Sequence, residues 1–262
     1  MPHRPSTRTL ITTSLHDGIL QIGIQRPEKR NALTLDMYDA LTAALDSAEE
    51  EQQVRVIVLH GTPDCFTSGN DLADFAAHPP RSENSPVFRF LRTLCRTRKP
   101  LLAMVSGPAV GIGTSLLLHC DLVYADPTAR FQLPFVNLGL CPEAASSYLL
   151  PRRIGPHRAA EMLLLGEMID AEKALQYGLI NQLFPAAELT HRVLAKAAQL
   201  AAQPPQSLRL TKALLKEPQA DRVAEVMSKE GELFLRQLAG AEAQEAINAF
   251  LEKRKADFSP GS

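Results

Sequence analysis

An apolar strand that runs directly into closely spaced glycines constrains this chain most. Leu101 to Val105 (LLAMV) ends in Ser106-Gly107-Pro108, and Gly111 and Gly113 then open the apolar segment Thr114 to Leu118. Glycine lets the backbone approach a neighbour closely, and free N–H groups at a helix start attract negative charge. Such a turn is either a tight strand-to-helix connection or an anion-stabilising site, and alone it does not choose between them. A second small-residue turn, Ser68-Gly69-Asn70-Asp71, also follows a buried strand. Two such turns can aim two backbone N–H groups at one oxygen. Further on, Glu143 sits in a Cys-Pro-Glu-Ala turn among small and apolar neighbours. It is either a surface carboxylate or an isolated base suited to moving a proton beside a carbonyl.

The chain has 262 residues, 45% hydrophobic and 22% charged, which suits a sizeable core rather than disorder. A net charge of −1 gives no electrostatic case for nucleic acid or an anionic membrane. Cys65, Cys95, Cys120 and Cys141 are widely spaced without CxxC pairing and read as reduced thiols in a cytoplasmic protein. His119-Cys120-Asp121 are adjacent, a spacing unsuited to a shared metal, so His119 is expected to pack locally. No run is long and apolar enough to span a bilayer. The first ten residues lack a secretory h-region and read as a frayed tail, with a transit peptide as the other reading. The C-terminal Ser259-Pro260-Gly261-Ser262 is not a peroxisomal address.

Along the chain, Leu10 to Leu15 and Ile19 to Ile24 alternate around His16-Asp17-Gly18, a hairpin signal. Thr34 caps a helix carrying Met37, Leu41, Leu45 and Ala48 at helical spacing. Strands are expected at Val54 to His60 and Asp121 to Ala125, helices at Val87 to Arg98, Gly155 to Leu165 and Asp170 to Gln176. Asp170 and Gly178 are the cap and stop of the last of these. Residues 76–86 are polar and Pro-rich, a loop without regular structure. Residues 186–202 are helical, Pro204-Pro205 marks a boundary, and helical pattern continues to the end. Strand–turn–helix units followed by a helical tail imply an α/β core over residues 1–203 with a C-terminal helical region over 204–262.

Two nucleotide signatures fail. Gly111-Ile112-Gly113-Thr114-Ser115-Leu116 lacks the third glycine of a dinucleotide fingerprint, and there is no Walker loop. The segments RPEKRNALT (Arg26 to Thr34), CFTSGNDL (Cys65 to Leu72), SGPAVGIGTSLLLHCDLVYA (Ser106 to Ala125) and FLEKRKADF (Phe250 to Phe258) instead resemble, in order and spacing, the crotonase or enoyl-CoA hydratase/isomerase superfamily. That resemblance implies a ββα spiral core, with C-terminal helices that mediate trimerisation or a hexamer formed by two trimers. It also implies a coenzyme A thioester as substrate and no separate cofactor. By position the oxyanion donors are the backbone N–H groups of Asn70 and Ile112, flanked by Gly69 and Gly111. The coenzyme is expected near Lys29, Arg30, Ala32, Ser68 and Leu72. Phe250 and Lys253 of a neighbouring subunit are expected to close the pocket. Asp71 reads as a helix cap in the same loop.

The two glutamates of family hydratases fall, by position, at Ser115 and Phe135, where neither side chain can act as a carboxylate base. Glu143, in LGLCPEAASSYLLP, falls where one branch of Δ3,Δ2-enoyl-CoA isomerases carries its sole catalytic glutamate. The resemblance thus implies a 1,3-proton shift from 3-enoyl-CoA to trans-2-enoyl-CoA. Its alternatives are a hydratase, another crotonase activity on acyl-CoA, or a non-catalytic acyl-CoA- or RNA-binding relative.

Overall fold

The computed structural model describes residues 9–259; the readings made on the first eight and last three residues lie outside it. The chain opens with the expected hairpin, β1 (Ile11–His16) and β2 (Ile19–Ile24), paired antiparallel from Ile11↔Ile24 to His16↔Ile19. Asp17 and Gly18 take the positive φ values, 50° and 78°, that a two-residue turn between right-twisted strands requires. Thr34 Oγ1 then accepts from Met37 N and starts α1 (Leu35–Glu50). There follow β3 (Val56–His60), α2 (Leu72–Ala77), α3 (Pro86–Arg96), β4 (Leu101–Val105), β5 (Pro108–Val110), α4 (Ile112–Ser115), β6 (Leu122–Ala125) and β7 (Arg130–Gln132). The remaining elements are α5 (Ser146–Ile154), α6 (Pro156–Ala160), β8 (Ile169–Asp170), α7 (Ala171–Tyr177), β9 (Gln182–Leu183), α8 (Ala186–Ala201), α9 (Pro205–Leu238) and α10 (Ala241–Leu251).

The main sheet has the order β1-β2-β3-β4-β6-β9 and is parallel from β2 onward. A second ladder, β5-β7-β8, is prolonged by the bridges Thr67↔Ala109 and Leu33↔Asn70. Each circuit of the chain therefore lays one strand in the main sheet and a short piece in the second ladder, which is the α/β spiral. The glycine turn is tight because β4 and β5 are separated only by Ser106 and Gly107. Gly107 has φ +62°, and a Cβ there would sit 2.1 Å from Asp64 O, so no other residue fits.

Strand alternation divides the core. Ile57 and Leu59 of β3 face a cluster that includes α1 and α3, whereas Val56 and Val58 face Leu189, Val193 and Ala197 of α8. Phe234 and Leu238 of α9 and Ile247 of α10 belong to the first cluster, so the tail folds back onto the core of the same chain. Asp170 caps α7 through Lys173 N at 2.8 Å and Gly178 ends it at φ 78°, as expected. The 76–86 loop is shorter than expected, because α2 runs to Ala77 and α3 begins at Pro86. Helix α5 was not expected, since Pro151 interrupts its pattern. The strands β5, β7, β8 and β9 are two or three residues each, too short to show a period of two.

Candidate functional site

A cavity of about 650 Å³ opens where the turns of successive circuits meet α9 and α10. Of the expected site residues, Lys29, Arg30, Ala32, Ser68, Gly69, Asn70, Asp71, Leu72, Gly111, Ile112, Phe135 and Phe250 all line it. Lys253 does not. Within the chain itself, Phe250 lines the wall together with Phe234, Leu238 and Ile247. Glu143 is not on the wall either. It is 1% exposed and lies three residues beyond Leu140, which is.

Asn31, which is 0% exposed and not itself on the wall, ties together two loops that line this cavity. Held at φ 57°, its Nδ2 donates to Cys65 O (2.7 Å) and its Oδ1 accepts from Arg26 N (2.8 Å). Its carbonyl accepts from Thr67 Oγ1 (2.7 Å), which in turn accepts from Gly69 N (3.1 Å). Asn31 thus clasps the Arg26–Thr34 loop to the Cys65–Leu72 turn. Replacing it by Ala leaves several buried groups unpaired, and Asn31→Ala is expected to cost roughly 2–4 kcal/mol of stability in denaturant unfolding. Asp71 is the cap it was read to be: its side chain accepts from Ala73 N and Asp74 N and pairs with Arg26 at 2.7 Å.

The two expected donors are framed in the same way. Leu33 N donates to Gly69 O (2.8 Å) and Asp71 N to Leu33 O (2.9 Å), so the bridge uses the residues flanking Asn70. Gly111 N donates to Gln132 O (2.9 Å), Gly111 has φ 55° and ψ −118°, and Ile112 is the first residue of α4. Among the described residues, neither Asn70 N nor Ile112 N donates to a protein acceptor. Both are free for an oxygen in the cavity.

Glu143 carries two carboxylate oxygens that are buried and without a partner. Burial, and then the charge of Glu230, push its pKa from 4.5 up to about 8. The turn is fixed by left-handed Ala144 and Ala145 (φ 60° and 54°) and by His119 Nε2, which donates to Ala144 O at 2.8 Å. His119 packs locally, as expected, and burial lowers its pKa to about 4, keeping it neutral. Tyr38 interacts with both Glu143 and the Asn70 turn. Its hydroxyl donates to Asn70 Oδ1, and its ionisation is opposed by burial and by Glu143. Ser115 (0% exposed) and Phe135 (4% exposed) supply no carboxylate.

The raised pKa has a stability consequence. Between about pH 4.5 and about pH 8 folded Glu143 keeps a proton that the unfolded chain releases. Its contribution is complete at the acid end and is lost as the pH rises through the folded pKa. Glu143→Gln is expected to flatten this slope, being more stable than wild type by a few kcal/mol at pH 9 and little different at pH 5. Thermal unfolding at the two pH values measures it.

Sequence reading missed Asn31, Tyr38 and Glu230. Tyr38 neighbours Met37 on the buried face of α1, and a buried tyrosine needs a partner for its hydroxyl. Glu230 recurs with Val223, Val226, Met227 and Phe234 on the buried side of α9, an acid at an apolar position.

The family described as Enoyl-CoA hydratase/isomerase matches residues 14–260. Human "Enoyl-CoA delta isomerase 2" is 34% identical over 253 residues, covering 94% of this chain and 64% of that protein. The chain thus spans less than two thirds of that relative. The "2,3-dehydroadipyl-CoA hydratase" of Escherichia coli (strain K12) is 33% identical over 95% of this chain and 98% of its own. The crystal structure of an enoyl-CoA hydratase/isomerase from Pseudoalteromonas atlantica T6c is 39% identical with a TM-score of 0.91, covering 96% of this chain and all of that one. A continuous spiral, a cavity with two free backbone donors and a match along nearly the whole sequence agree: the chain belongs to the enoyl-CoA hydratase/isomerase, or crotonase, family.

Proposed function

We propose that this protein is a Δ3,Δ2-enoyl-CoA isomerase. The observation that carries the reading is the carboxylate of Glu143, buried with both oxygens unpartnered, close in sequence to a cavity wall that holds two free N–H donors. Glu143 takes a proton from C2 of a 3-enoyl-CoA, and the electron pair moves onto the thioester oxygen, which rests against Asn70 N and Ile112 N. The same carboxyl returns the proton to C4 as the double bond moves from C3–C4 to C2–C3. One base suffices, no cofactor beyond the coenzyme A of the substrate is consumed, and no metal is required. Because Glu143 is 1% exposed, acyl binding must open the wall beside Leu140.

Hydration is the second reading, since a hydratase is among the relatives. Adding water across the double bond is served by two carboxylates orienting it, and Ser115 and Phe135 offer none at the positions expected for them. The two readings move conjugated absorbance in opposite directions. An isomerase gains it from 3-enoyl-CoA, whereas a hydratase loses it from 2-enoyl-CoA. Rapid loss from 2-enoyl-CoA with no gain from 3-enoyl-CoA overturns the isomerase.

The base must be ionised to act, so kcat/KM for 3-enoyl-CoA is expected to rise with pH, pass half its plateau near pH 8 and level above about pH 9, following Glu143. A profile that is flat from pH 6 to pH 9 would place the base elsewhere. Exposed Leu210, Leu214 and Leu215 on α9 support assembly as a trimer or pair of trimers, which light scattering tests. Four free thiols suit a reducing, cytoplasmic setting, and no helix among the described residues is long and apolar enough to cross a membrane.

A further inference from the structure

A second carboxylate is buried behind the cavity. Glu230, 5% exposed, comes from α9 and stands at the start of α5. Its Oε1 accepts from both Ser147 N (2.9 Å) and Ser147 Oγ, while its Oε2 is buried with no partner. Ser146, whose own N donates to Glu143 O at 3.0 Å, has an unpartnered buried hydroxyl as well. Glu143 and Glu230 thus hold adjacent residues of one helix start, each with a bare oxygen. A buried acid half-satisfied in this way is costly. The packing of α9 does not require it, because Val223, Val226, Met227 and Phe234 fill the rest of that face.

We propose that Glu230 is a positioning residue for Glu143: it pins the first turn of α5, and with it the Glu143–Ala145 turn, and its charge sets the pH at which the base gives up its proton. This rests on Glu143 being the base of the proposed isomerase. The other titratable groups around Glu143 carry no charge near neutral pH. Burial raises Tyr38 of α1 and Cys141 of the same turn, and His119, which holds Ala144 O, stays neutral. Lys216 and Arg153 act on His119, not on Glu143. Glu230 is therefore the charged neighbour that the base meets. Burial raises Glu230 as well, but Ser147 donates to it twice and opposes that shift, whereas Glu143 receives no donor, so Glu230 ionises first.

The test is a set of pH profiles of kcat/KM on one 3-enoyl-CoA for wild type, Glu230→Gln, Ser147→Ala and Glu143→Gln. Glu230→Gln keeps an acceptor for Ser147 N and removes the charge. Its rising limb is expected about one pH unit lower than that of wild type, with the rate at pH 6 up to about tenfold higher relative to its own plateau and KM unchanged. Ser147→Ala removes one donor, leaves Glu230 neutral to higher pH, and moves the limb the same way by less. Should Glu230→Gln not fold, Ser147→Ala carries the test. A limb at the wild-type position in the folded variants overturns the proposal. Activity retained in Glu143→Gln overturns the isomerase reading instead, so the two failures are distinct.

Discussion

Glu143→Gln is expected to lower kcat/KM for 3-enoyl-CoA by about 10³–10⁴-fold, with KM changed little. Glutamine has nearly the shape of glutamate, so it fills the same space between Ala144 and its neighbours. It breaks no hydrogen bond, because neither oxygen of Glu143 has a partner to lose. It removes only the capacity to accept and return a proton. No second carboxylate lies at the positions of Ser115 and Phe135 to take over that role, so the loss should not be rescued by raising the pH. The expected gain in stability at high pH separates this outcome from simple unfolding: an inactive protein that melts later has lost chemistry, not structure. Steady-state assays with the conjugated product as readout, paired with thermal unfolding, decide it.

Ile112→Pro should reduce kcat by about 10²–10³-fold, equivalent to about 2.7–4 kcal/mol of transition-state stabilisation from one oxyanion donor. A backbone donor cannot be deleted by trimming a side chain, but proline deletes it outright. Position 112 is favourable for this change. It is the first residue of α4, where proline's fixed φ suits the helix and its missing N–H breaks no intrahelical bond. Gly111, before it, has no Cβ for the ring to strike. Ile112→Val keeps the N–H and trims the buried side chain, and is expected to stay within a few-fold of wild type. Should proline and valine behave alike, the N–H of Ile112 is not a donor to the reacting oxygen.

Much of the site's skeleton can be read from local sequence because it is made of local chemistry. Gly107 and Gly111 announce tight backbone, Thr34 and Asp170 announce helix starts, and Asp71 caps α2 as a short acid before a helix should. Other features depend on distant partners. Tyr38 is recognisable as a buried position of α1, but its meaning comes from Asn70, 32 residues away. Glu230 finds its partner only when α9 folds back to meet Ser147, across 83 residues. The short strands of the second ladder carry too few residues for a pattern, and they form because the circuits of the spiral bring them side by side. Helix α5 runs through Pro151, which breaks the local pattern while neighbouring circuits still support the helix.

The same-chain origin of Phe234, Leu238, Ile247 and Phe250 in the cavity wall divides the labour of the molecule by position in the chain. The residues proposed to act on the substrate, Asn70, Ile112 and Glu143, are spread over the spiral, whereas α9 and α10 add Phe234, Leu238, Ile247 and Phe250 to a wall that Phe75, Phe135 and Leu140 of the spiral complete. Substitutions within these two helices can therefore reshape that wall while leaving the three residues untouched.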